Sequence, residues 1–80
     1  MNWDDAQGKW KELRGTVREQ WGKLTDDDLE VISGRRDKLV GKLLQRYGST
    51  KEAVESEVKA FERRMAQAAR AVTDPEPPAH

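Results

Sequence analysis

Trp21-Gly22-Lys23-Leu24-Thr25-Asp26-Asp27-Asp28-Leu29 reads as the end of one helix and the start of the next. Gly22 suits the left-handed position that often follows a last helical turn. Thr25 is a helix-capping residue, and Asp28 stands three positions on, where its carboxylate can reach back to the Thr25 amide in a capping box. Three consecutive carboxylates then lie at the positive end of the new helix's dipole. The stretch therefore joins two helices by a tight turn, and what flanks it on both sides repeats that grammar.

Towards the N-terminus, Trp3, Ala6, Trp10, Leu13, Val17, Trp21 and Leu24 fall on one stripe at the helical period, with Asp5, Lys9, Lys11, Glu12 and Glu19 off it. One amphipathic helix is expected over about Asp4 to Trp21, capped by Asn2 or Asp4. Towards the C-terminus, Leu29 and Ile32 give the second, short helix an apolar edge. Gly34 either ends it or marks a kink in a longer helix. A third helix is expected over about Arg35 to Tyr47, with Leu39, Val40, Leu43, Leu44 and Tyr47 on one face and Gly48 at its end. Ser49 and Glu52 make a second capping-box pair for a fourth helix from about Thr50 to Val72. Its apolar residues Val54, Val58, Phe61, Met65, Ala68 and Val72 alternate in steps of four and three, the seam of a coiled coil. Glu55 and Lys59 make an i,i+4 pair. Three prolines among the last residues cannot continue a helix, so residues 1–72 are read as a helical domain and 73–80 as a flexible tail.

Glycines recur at 8, 15 and 22, and again at 34, 41 and 48. The same offset superposes Lys9 on Arg35, Leu13 on Leu39, Val17 on Leu43 and Trp21 on Tyr47. The expected fold is thus all-α: a small four-helix bundle built from two related helix–helix units, with a flexible Pro-rich C-terminal tail. Gly8, Gly15 and Gly41 lie off the apolar faces, and each glycine inside a helix costs about 0.5–1 kcal/mol relative to alanine. Either the helices are simply weak, or another backbone approaches there, or the weakness is deliberate and keeps the chain partly unfolded until it is crowded, dried or bound.

Composition limits what such a fold can do. Leu, Ile, Val and Phe number 14 of 80 residues, under the roughly one-fifth below which chains tend to disorder. The 15 basic side chains balance the 15 acidic ones, so self-repulsion does not expand the chain. Three tryptophans supply apolar area, and a core so short of aliphatics needs them. Without cysteine there is no disulfide framework and no thiol nucleophile, which favours a reducing cytoplasm. The acidic Met1-Asn2-Trp3-Asp4-Asp5 is unlike a signal peptide, and no apolar run approaches a membrane span. The single histidine is the last residue, His80. No catalytic pairing of Ser or Cys with His, no metal-ligand spacing and no phosphate-cradling loop occurs, so neither enzyme activity, cofactor, metal nor small-molecule substrate is expected. Asp26-Asp27-Asp28 with Glu30 lacks the alternation of a calcium loop and is assigned to capping.

Two binding surfaces remain. Arg35, Lys38, Lys42 and Arg46 fall on one side of the third helix and could track phosphates. Four such contacts bind weakly, and the acidic second helix competes for them, so a solvated face is favoured over nucleic acid. The seam Val54, Val58, Phe61, Met65 and Val72 could pair with itself or with a partner helix.

Asn2-Trp3, Gly8-Lys9-Trp10-Lys11, Gly15, Trp21 to Leu29 as quoted above, Ile32, Gly34, Leu39, Gly41 and Tyr47-Gly48 together resemble the CsbD-like family of small bacterial general stress response proteins. The likeness spans about residues 2 to 60. It implies a short, hydrophilic, soluble helical protein induced in stationary phase or under osmotic and related stress. It brings no catalytic or ligand-binding residues, and the helix to Val72 and the Pro-rich tail extend past the usual family core.

Overall fold

A computed structural model describes residues 2–73, with side chains as far as residue 67. The described residues form five helices and no strand: α1 (Trp3–Gly8), α2 (Trp10–Gln20), α3 (Asp26–Ile32), α4 (Arg36–Tyr47) and α5 (Lys51–Thr73). The Pro-rich tail expected over 73–80 lies, from residue 74 on, outside the described residues.

The helix starts are set by local side-chain chemistry. Asn2 accepts the Asp4 amide at 2.9 Å and caps α1. The Thr25 hydroxyl accepts the Asp28 amide and the Asp28 carboxylate accepts the Thr25 amide, both at 3.1 Å, so the capping box of α3 is complete. At α5 the cap is Thr50, whose hydroxyl accepts the Ala53 amide at 3.2 Å. That moves the expected Ser49–Glu52 register by one residue.

Val17, Trp21, Leu24, Leu29, Ile32, Leu39, Leu43, Val54, Val58 and Phe61 are all almost wholly buried. Trp10 and Val40 border them, and Trp3, Leu13, Leu44 and Met65 pack on from outside. α4 lies centrally, packed against both α3 and α5, while α1 packs on α2. The Trp21 and Phe61 rings meet at 5.1 Å between centroids, tilted by 52°, an arrangement aromatic pairs favour.

Three expectations change and one open alternative is decided. The single first helix is two: the chain breaks at Lys9 (φ −111, ψ 21) while the apolar stripe runs straight through. The Trp10 indole at the start of α2 is buried and donates to the Leu29 carbonyl of α3 at 2.9 Å. Second, Gly22 is not left-handed. The turn is made at Trp21 (φ −129, ψ 88), and both Trp21 and Leu24 are buried in the core. Third, Tyr47 is 37% exposed rather than core; its ring sits 5.1 Å below the Lys23 ammonium and its hydroxyl accepts the Lys23 amide. Fourth, Gly8, Gly15 and Gly41 have no backbone approaching them; a methyl at each would meet nothing within 4 Å. The close approach is at Gly34, where a methyl would stand 2.6 Å from the Gln7 Cα.

The second and third helices are separate. Ser33 (φ 48) and Gly34 (φ 81) make two left-handed residues in a row, and α4 starts two residues later. Trp10 and Arg36, the first residues of α2 and α4, stand at the sequence repeat's own offset, as do the preceding Lys9 and Arg35.

Candidate functional site

Besides an exposed Arg18–Asp26 pair, the helices cluster part-buried charges at two places. The first is between α3 and α4. Asp28 is 1% exposed, the one buried charged residue among those described. It lies there because the capping box holds it at the third position of a helix whose other face is core. Arg46 grips it in a fork, Nε to Oδ2 at 2.6 Å and Nη2 to Oδ1 at 3.0 Å. Lys42, one turn earlier on α4, stands 3.4 Å from Oδ1. The Arg46 guanidinium, then the Thr25 amide and Lys42, hold the carboxyl well below the usual carboxylate range, against the opposing effect of burial.

The second place is between α4 and α5. Arg36 donates through Nη2 to Glu55 and through Nε to Glu62, each at 2.8 Å. Glu62 also accepts the Trp3 indole N–H at 2.6 Å, which ties the N-terminus to α5. Burial raises the Glu62 carboxyl, but the Trp3 and Arg36 hydrogen bonds outweigh it and leave it lowered. Glu55 is lowered by Arg36 despite some desolvation, and Arg36 is raised in return. Glu55 thus reaches across to α4, not along its own helix to Lys59. The Trp21 indole donates to Glu57 at 3.0 Å, and Arg64 bonds Gln20.

These partners decide the standing of the basic face on α4. Lys42 and Arg46 are turned onto Asp28; Arg35 and Lys38 are exposed. Of the acidic run, Asp26 pairs with Arg18 at 2.6 Å and Asp27 is exposed, so the three carboxylates diverge. Val54, Val58 and Phe61 of the α5 seam are buried in the chain's own core and Met65 is half-buried, while Val72 lies beyond the described side chains. Arg36, Glu57 and Glu62 were not singled out by sequence, and Glu55 was, but with Lys59 as its partner in place of Arg36. The seven-residue step from Glu55 to Glu62, beside the seam, was the available signal that both flank a buried face.

Concavities are shallow. A depression of about 760 Å³ is bordered only by α5 residues, Lys51 to Lys59, and one helix cannot enclose a ligand. A groove of about 210 Å³ between α1–α2 and α5 has Ala6, Leu13, Met65 and Ala66 along it and Asp5 and Lys9 at its rim. Among the described residues no three His, Cys, Asp or Glu side chains converge as metal ligands do, and no helix is long and apolar enough to cross a membrane.

Two ion-pair clusters, three indoles each hydrogen-bonded and a single thin core define a small helical domain whose part-buried charges pair between helices. The chain belongs to the CsbD-like family, whose model matches residues 4–56. It is 61% identical to the UPF0337 protein ECA0631 of Pectobacterium atrosepticum over 78% of this chain and 90% of that one. It is 56% identical to the UPF0337 protein YjbJ of Escherichia coli K12, over 80% and 93%. Against the UPF0337 protein PA4738 of Pseudomonas aeruginosa it is 52% identical, over 81% of this chain and the whole of the other.

Proposed function

We propose that this is a non-enzymatic, cytoplasmic protein of the bacterial general stress response that shields other macromolecules when water is scarce. The observation that carries this reading is the pairing of charge between helices. Asp28, Arg36, Lys42, Arg46, Glu55 and Glu62 satisfy one another between helices. What faces solvent is a polar, charge-balanced surface on a chain of mean hydropathy −0.99. Such a surface stays soluble when crowded and resists sticking to itself. The carboxylates held low by guanidinium partners are poor proton donors and bases near neutral pH, which speaks against acid–base catalysis. Membership in the CsbD-like family supports the stress-response setting.

The test is to dry lactate dehydrogenase with this protein or with an equal mass of lysozyme, and to assay activity after rehydration. Greater recovery with this protein is expected. Equal recovery refutes the shielding role.

A further inference from the structure

Gly15 and Gly41 sit inside α2 and α4, at equivalent positions of the two repeated units. Both are exposed, and a methyl at either would meet nothing within 4 Å. Neither has a positive φ, unlike Gly34 and Gly48. So neither backbone conformation nor packing calls for a residue without a side chain there. What glycine does at such a place is shift its helix toward the unfolded state, by about 2- to 5-fold relative to alanine. This happens once in each unit, in a chain whose single core is already near the minimum for a domain of its size. α2 and α4 are also the helices whose inner faces hold Trp10 and Val17, and Leu39, Val40 and Leu43.

We infer that Gly15 and Gly41 are a built-in opening device. They hold α2 and α4 close to balance, so that a share of molecules exposes these indole and leucine faces to apolar patches on partly unfolded client proteins. This rests on the shielding role proposed above and names the form of the protein that performs it. The folded form, with its charges paired and its apolar faces covered, is the store; the opened form is the one that binds.

The experiment compares the wild type with G15A, G41A and the double variant in three readouts. Amide exchange in α2 and α4 should slow by about 2- to 5-fold for each single variant and about 4- to 25-fold for the double, with a matching rise in melting temperature. Suppression of heat-induced aggregation of citrate synthase, followed by light scattering, should fall in the same order although the variants are more stable. Variants that are no more stable than the wild type overturn the inference, as do stabilised variants that suppress aggregation equally well. A wild type that protects no client in either assay removes the shielding role itself, while the exchange measurement still decides whether the glycines set the balance.

Discussion

One added methyl group should have opposite effects at two glycines that differ in backbone conformation and in surroundings. At Gly34 the backbone is left-handed, and the new carbon would stand 2.6 Å from Gln7 Cα and 2.9 Å from the Ala6 carbonyl carbon. The conformational penalty of about 1–2 kcal/mol adds to an overpacking penalty of about 1–3 kcal/mol. G34A should therefore melt far below the wild type, whereas G41A melts above it. Ser33 gives the complementary case. It adopts φ 48 and ψ 38 with an exposed side chain, so S33G removes a left-handed penalty and should stabilise by about 0.5–1 kcal/mol. Thermal melts followed by circular dichroism read all three. Sequence marked Gly34 as either a helix end or a kink but not as a contact, because the chain that approaches it lies at residues 6 and 7.

At the level of elements, the α3–α4 pairing is electrostatic where it is not apolar. Asp28, Glu55 and Glu62 all titrate below their ordinary range in the folded chain. The folded state thus binds fewer protons than the unfolded one, and stability rises with pH through the carboxylate range. The contribution is complete above about pH 5 and is lost as pH falls through about 4 and below. Melting temperature should be nearly level from pH 7 to 5 and drop steeply toward pH 3. D28N keeps the shape and an acceptor for the Thr25 amide but loses the charge facing Arg46 and Lys42. It should melt lower at pH 7 and show a shallower acid limb. A D28N limb as steep as the wild type's would remove Asp28 from this account. The capping box itself was legible, since Thr25 and Asp28 are three residues apart. Its ionic partner was not, because Arg46 lies eighteen residues on and meets Asp28 only when α3 and α4 pack.

The whole molecule hangs on few side chains. Phe61 is 1% exposed and touches Trp21 from across the fold. F61A should cost about 3–5 kcal/mol, comparable to everything so small a domain has. The variant is expected to be largely unfolded at 25 °C by circular dichroism; a cooperative melt near the wild type's would show that the core is better buttressed than described. Much of the helical order was legible because apolar period, caps and glycines agreed along most of the chain. The break at Lys9 was hidden because the stripe from Trp3 to Trp21 keeps its period through it. The partners of the three indoles were hidden because they come from α3 and α5. Those indoles differ in what they touch: Trp3 a half-buried carboxylate on α5, Trp10 a peptide carbonyl of α3, and Trp21 both Glu57 and the Phe61 ring. Nature has thereby furnished the domain with three separate optical gauges, since indole emission colour and quenching report the immediate dipoles and neighbours of each ring. With any two replaced by phenylalanine, the remaining one tells which joint of the scaffold loosens first.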